Sequence, residues 1–481
     1  MERLVEPFGI TARVEGAEMS AELSAGLRQT PVRDASERHI ATVYGRVLRG
    51  WRGRDLEISP EEIKVAFEVT SPEVFEAQVL SGLHGAFCLR TLGPLPHRLY
   101  LDAGGSLPIV YSPADGRIAS SAGMMFEDAE YQARFLASRH KRLIESEIRG
   151  SWIPGMLTAH ESLFRLLPNF YLDLKSWTQH RFWPGPEQAR LDLGLEEAAQ
   201  SVARDLQGFV EATVEEFRCV GPALTAGFDS RLVLAASRRV VDRVEFFTMG
   251  SKGEGRDQGI AAAMAAELGF QHRLVPVVRS TPVQHAHWNR LVGDTTKEVN
   301  REIYPTLFDL PYDVVLTGVY GEVGRIRGYK ADADTINDQT PSARMIAGRL
   351  TVPFSDREVR AEVERWLSTI DWAPCSVVLD LAFNEVKFAV WGMAQAPVQQ
   401  AARFTLQPFA QRSIQEMFMR VPPPIQGKAA LFTRIAEILW PETMRLGINS
   451  YGDYRDRLLL LKKFTQRERL VRLVRERVLA Q

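Results

Sequence analysis

The stretch Ala223-Leu224-Thr225-Ala226-Gly227-Phe228-Asp229-Ser230-Arg231 decides how this chain is read. Ala223-Leu224-Thr225 suits a short strand, and Leu232-Val233-Leu234-Ala235-Ala236 beyond it suits a helix. The small residues at 225–227 let backbone N–H groups approach an anion, and the helix N-terminus adds the positive end of its dipole. Ser230 can donate to a phosphate oxygen. Asp229 would repel a bare phosphate, so its presence predicts a bridging Mg²⁺ that takes oxygens from both. In open parallel sheets, ligands sit at such carboxyl ends of strands.

Outward from this turn the same architecture continues. Leu195, Ala199, Val202, Leu206, Phe209, Val210, Val214 and Phe217 recur at helical spacing, which predicts an amphipathic helix just before it. Residues 244–249 read as a second strand. Asp257 is placed to cap a helix that stops at Gly269. Residues 274–277 and 313–317 read as further strands, so strand and helix alternate and predict a doubly wound parallel sheet. From about Asp356 the pattern is mostly helical, and it ends in a basic amphipathic helix from Leu458 to Leu479 that could dock an acidic peptide or a partner protein. On the other side, Arg181-Phe182-Trp183-Pro184-Gly185-Pro186 continues neither helix nor strand. Before it lie short strands and turns: 99–102 and 109–111 flank Gly104-Gly105, and Asp115-Gly116 turns the chain into 117–120. This punctuation divides the chain into domains at 1–183 and 187–481.

Composition bounds the function. The 481 residues are 45% hydrophobic and 25% charged, the mix of a folded protein. A net charge of −1 gives no bulk attraction to nucleic acid or anionic membrane, and neither is expected as a partner. Cys88, Cys219 and Cys375 are too few and too scattered for a disulfide framework or a cysteine zinc site. No apolar run of 18 residues and no secretory leader is legible, which makes a reducing cytoplasm the expected location.

The turn resembles the pyrophosphate loop, Ser-Gly-Gly-x-Asp-Ser, of the ATP pyrophosphatases, and of asparagine synthetase in particular. Gly227, Asp229 and Ser230 match it; Thr225 and Ala226 replace the first Ser and Gly. Phe247-Thr248-Met249-Gly250 resembles the family's second strand, whose backbone holds adenine. Leu316-Thr317-Gly318-Val319-Tyr320-Gly321-Glu322 resembles the loop Ser-Gly-(Asp/Glu)-Gly-x-Asp-Glu, with Glu322 where relatives keep a second Mg²⁺-binding aspartate. Gln407-Pro408-Phe409 through Arg420-Val421-Pro422-Pro423 resembles Pro-Phe-Leu-Asp … Leu-Pro, with Gln411 at the place of the Asp. Lys428 matches the start of the Lys-x-x-x-Arg helix. Arg445 stands where relatives carry a Lys that meets the pyrophosphate; it keeps the charge but cannot give up a proton. The resemblance implies ATP and Mg²⁺, with Leu224, Thr225, Ala226, Gly227, Phe228, Asp229, Ser230, Thr248, Met249, Gly250 and Gly318 around the nucleotide and Asp229 and Glu322 on the metal. Arg231, Lys252 and Arg256 are the nearby cations.

The front half carries a resemblance of its own. Residues 85–89, 99–111 and 116–121 resemble the core of class II glutamine amidotransferases, which implies an Ntn-hydrolase-like αββα sandwich ahead of an ATP pyrophosphatase domain with a helical C-terminal portion. Those enzymes use an N-terminal cysteine. Glu2 occupies that place and Cys88 reads as strand core, so no glutaminase activity is expected. A front half without glutaminase beside an intact synthetase is similar to β-lactam synthetase, carbapenam synthetase and the lasso-peptide macrolactam cyclases. The implied activity is an AMP- and pyrophosphate-forming amide ligase. It would adenylate a carboxylate of a small-molecule or peptide substrate and join it to an amine. Tyr320 and Glu385 would act as a Tyr–Glu base pair, with Lys428 and Arg445 as transition-state cations. An ammonia-dependent asparagine synthetase and a non-catalytic scaffold are the alternatives.

Overall fold

The computed structural model describes residues 3–16, 18–49, 55–145, 152–250, 255–296, 300–325, 330–426 and 429–450. Lys252, Lys428 and the basic segment from 451 onward lie outside them. The fold is mixed α/β with several sheets.

Period-two alternation builds the front half. In the strand Gly85–Thr91, Ala86 and Cys88 face one apolar cluster while Phe87 and Leu89 face another. Leu99 and Leu101 oppose Tyr100 in the same way, and Tyr111 and Ile118 oppose Val110 and Ala119. The chain meets this pattern with an eight-stranded sheet and a five-stranded sheet. Their facing sides share the main core. The outer face of the larger sheet packs Phe75 and Val79, and that of the smaller packs the Ala122–Met125 and Asp128–Arg134 helices through Ala122, Phe126 and Tyr131. The layers therefore run helix, sheet, sheet, helix. Gly116, at φ 61°, turns Val110–Ser112 into Arg117–Ala119, the hairpin legible in Asp115-Gly116.

The back half holds a parallel sheet. Its strands in chain order are Val220–Pro222, Phe246–Met249, His272–Val275, Val314–Leu316 and Thr405–Leu406. The first pairs with the fourth and the fourth with the fifth, while the second pairs with the third. Parallel bridges from Val220 to Val244 and from Ala223 to Phe247 join the two ribbons. The order across the sheet is third, second, first, fourth, fifth, so it reverses between the first and fourth strands. The first strand lies three residues earlier than Ala223–Thr225, because Thr225 already belongs to the turn. The helix ahead of it spans Leu195–Glu216, and its apolar face is buried. Gly269 closes the Arg256–Leu268 helix at φ 76°, but Asp257 does not cap it; Gly255 does, and Asp257 reaches elsewhere.

The halves meet over a buried polar seam. Asp102 accepts from the N–H groups of Gly104 and Ser106 and from Ser106 Oγ, folding residues 102–106 around its carboxylate. The back half grips this loop. Arg412 donates to the Leu101 carbonyl (3.1 Å) and to Asn169 Oδ1 (3.2 Å), and Ser106 Oγ meets Gln407 Oε1 at 3.0 Å. The Tyr320 hydroxyl donates to the Gly104 carbonyl. Residues 3–8 extend the front half across the back one: Phe8 N–H donates to the Pro397 carbonyl, and Val5 packs beside Trp288 and Tyr304. At Gly104 a Cβ would fall 2.9 Å from both the Tyr320 ring and Ala410 Cβ. Gly104→Ala is expected to cost roughly 1–3 kcal/mol of stability by forcing the seam apart; an unchanged urea midpoint would contradict this packing.

Candidate functional site

The reversal point is where an open parallel sheet leaves a crevice at its carboxyl edge. Here that crevice is a cavity of about 420 Å³, within the range of small-molecule sites. One part is polar, formed by Thr225, Gly227, Asp229, Ser230, Gly318 and Glu322. The rest is apolar and amide-bearing: Phe247, Met249, Phe388 and Trp391 with Gln395 and Gln399.

Two loops build the polar end, and glycines decide how closely they meet. A Cβ on Gly318 would lie 2.6 Å from Ser230 N, and one on Gly321 would lie 2.6 Å from Asp229 Oδ1. Only glycine lets the loop after the fourth strand rest on the first turn of the Phe228–Ala236 helix. The result brings Asp229 and Glu322, 93 positions apart in sequence, to one cavity. Thr317 lines the same space, and its Oγ1 is buried with no hydrogen-bond partner among the described residues.

The turn itself is braced from within. Thr225 N–H donates to Ser230 Oγ (3.0 Å), Ala226 N–H to Asp257 Oδ1 (2.9 Å) and Gly227 N–H to Thr225 Oγ1 (3.2 Å). The N–H groups at 225–227 are therefore spent on the protein, which corrects the expectation that they offer themselves to an anion. Asp257 is part of this brace. The helix that follows starts at Gly227 as its N-cap, and among the described residues no side chain caps its first turn. Ser230 Oγ is shared with Thr225 Oγ1 at 2.8 Å. Leu224 and Ala226 are fully buried beneath the turn, and Phe228 packs edge-on against Phe432. Thr248 donates to the Leu224 carbonyl and meets His272 Nε2; burial holds His272 below its usual pKa. Gly250 N–H donates to the Val275 carbonyl. Of this strand only Phe247 and Met249 line the cavity.

Asp229 also has a partner that sequence reading missed. Arg325 forms an ion pair with Asp229 Oδ2. It lies three residues past Glu322 on the same loop, so its nearness to the metal-type acids was available as a signal. Arg231 is not a phosphate cation: it is fully buried and donates to the carbonyls of Thr443, Leu446 and Gly447. Among the described residues no group of three or more His, Cys, Asp or Glu side chains comes together. A Mg²⁺ ion commonly takes only one or two carboxylates and completes its shell with phosphate oxygens and water. Asp229 and Glu322 have the chemistry for that arrangement and not for an all-protein cage.

Three candidate catalysts lie away from the cavity. Glu385 is wholly buried in the seam, where Arg181 donates to both its oxygens at 2.9 and 2.7 Å, with Asn169 Nδ2 (2.9 Å) and Trp366 Nε1 (2.8 Å) completing its shell. Tyr320 is buried with its ring edge-on to Phe388, and burial holds its hydroxyl far above the usual tyrosine pKa. Neither is a base for a substrate in the cavity. Arg445 is largely exposed and sits 3.5 Å from Glu267. Lys428 falls outside the described residues.

Comparison of the chain with models of known protein families gives no match, and comparison with curated proteins gives none either.

Glu385→Ala strands the Arg181 guanidinium, and roughly 3–5 kcal/mol of stability should be lost in urea denaturation. A full-stability variant would contradict the structural role assigned to this pair.

Proposed function

We propose that the protein is an ATP-dependent amide ligase of the asparagine-synthetase type. On this reading the front half is a degenerate Ntn-type glutaminase and the back half an ATP pyrophosphatase domain. The observation that carries it is the convergence of Asp229, Glu322 and an uncapped helix start on one cavity at the reversal point of a parallel sheet. Two acids from different loops beside an N-terminal dipole make a site for a metal-bridged polyphosphate and repel an anion that arrives without metal.

Mg·ATP, when bound, supplies the adenylyl group that makes a carboxylate electrophilic. Asp229 and Glu322 would hold the metal, and the first helical N–H groups would face the phosphates. Thr317 Oγ1 adds a buried hydroxyl without a hydrogen-bond partner among the described residues. Phe247 and Met249 offer an apolar wall of the kind a purine needs. Phe388 and Trp391 would enclose the opposite part, excluding water and holding the substrate's amine close to its carboxylate.

The same wall points to the kind of substrate. Among the described lining residues the charged ones are Asp229 and Glu322. Aromatic rings and the amides of Gln395 and Gln399 suit a peptide-like body that carries both carboxylate and amine. The front half fits a domain without glutaminase: Cys88, its one cysteine, is fully buried in the strand core, and burial pushes its thiol pKa well up.

Incubation with Mg·ATP and short peptides bearing a free amine and a side-chain carboxylate should release pyrophosphate. Asp229→Ala should lower that release by about 100-fold or more. Undiminished release by the variant would overturn the metal assignment, and no nucleotide binding by the parent protein would overturn the reading.

A further inference from the structure

Among the described residues one buried cation, Arg165, has neither a counter-ion nor a set of hydrogen-bond acceptors around it. Arg165 ends the Phe164–Arg165 strand and is 4% exposed. Among the described residues no carboxylate pairs with it, and its guanidinium makes one long hydrogen bond, from Nη1 to the Gly155 carbonyl at 3.5 Å. Arg181, Arg231 and Arg412, also deeply buried, are treated differently. Arg181 faces Glu385, Arg231 faces three carbonyls, and Arg412 faces Asn169 and the Leu101 carbonyl. A guanidinium taken out of water with no such partners is strongly disfavoured, and burial pulls its pKa down to about 10.

Arg165 borders a cavity of about 10 Å³ where the front half meets residues 292–295. That is room for one water-sized particle. Its other polar walls are hydroxyls. Ser120 Oγ accepts from Ile10 N–H at 3.0 Å and Ser121 Oγ from Met124 N–H at 3.3 Å, so each still has a proton to donate. Thr158 and Thr295 already give theirs to the carbonyls of Leu163 and Val292. Among the described residues no Asp or Glu lines the space. The cavity thus presents a positive charge and hydroxyl donors, with room for a single atom. Water could accept these hydrogen bonds but would leave the charge uncompensated; a carboxylate or phosphate is too large.

We propose that this cavity is a binding site for a monatomic halide, chloride in solution, which neutralises Arg165 at the junction of the two halves. The inference does not depend on the reading of the nucleotide site.

Bromide replaces chloride and scatters anomalously. Crystals of the full chain grown in sodium bromide should show an anomalous peak beside the Arg165 guanidinium, between it and the Ser120 and Ser121 hydroxyls. In solution, melting in sodium chloride should exceed melting in sodium gluconate of equal ionic strength by about 2–4 °C, and Arg165→Met should erase that difference. The crystal test needs no variant and stands even if Arg165→Met fails to fold. A site filled by water alone, without anomalous signal, overturns the proposal, as does equal melting of the parent protein in both salts.

Discussion

Everything at the candidate site depends on how closely two pieces of backbone approach. The loop after the fourth parallel strand lies on the first turn of the Phe228–Ala236 helix, and a methyl group at Gly318 or Gly321 would drive into Ser230 N or the Asp229 carboxylate. Contact this tight fixes where Glu322 emerges relative to Asp229. Between the two glycines the chain adopts φ 75° at Tyr320, a left-handed conformation that a bulky residue holds only when its surroundings insist. They do so here: the hydroxyl is tied to the Gly104 carbonyl and the ring rests on Phe388. The geometry of the acids is thereby linked to the seam with the front half.

That seam ties the front half to the loop that positions the candidate site. Its 102–106 loop is folded around Asp102 and held by Arg412, Gln407 and Tyr320 from the other side. Glu385 belongs to the same set of buried contacts. Each of its oxygens has charged or N–H donors, so the residue contributes cohesion between the halves and not a proton acceptor. The braced turn at 225–227 has a matching logic. Side chains take up its N–H groups, and the helix that follows starts without a side-chain cap among the described residues.

Much of this was legible in the residues. The short strands at 99–102 and 109–111 and the turn at Asp115-Gly116 are local signals, whereas the pairing of two sheets was implied only by the resemblance of 85–89, 99–111 and 116–121 to a known family. The helix at 195–216 and the stop at Gly269 were legible for the same reason, since spacing and a left-handed glycine are properties of short segments. The polar end of the cavity was also legible, because Thr225, Gly227, Asp229, Gly318 and Glu322 lie on turns next to strand ends. What sequence could not supply was direction. Asp257 looks like a cap until the fold turns it toward Ala226, and Arg231 looks like a phosphate cation until the carbonyls at 443–447 surround it. Glu385, Tyr320 and Arg445 carry the right functional groups, but their orientation depends on partners more than 100 residues away. Arg325 was legible as a charge three residues past Glu322, but its pairing with Asp229 across 96 positions was not.

The central claim is that one cavity holds a metal-bridged triphosphate between Asp229 and Glu322. A crystal structure of the protein with Mg²⁺ and a non-hydrolysable ATP analogue tests it most directly. The account predicts phosphates against the start of the Phe228–Ala236 helix, a metal ion touching both carboxylates, and Arg325 no longer paired with Asp229. A nucleotide bound elsewhere, or a cavity empty of it with the Arg325–Asp229 pair intact at saturating analogue, would contradict it.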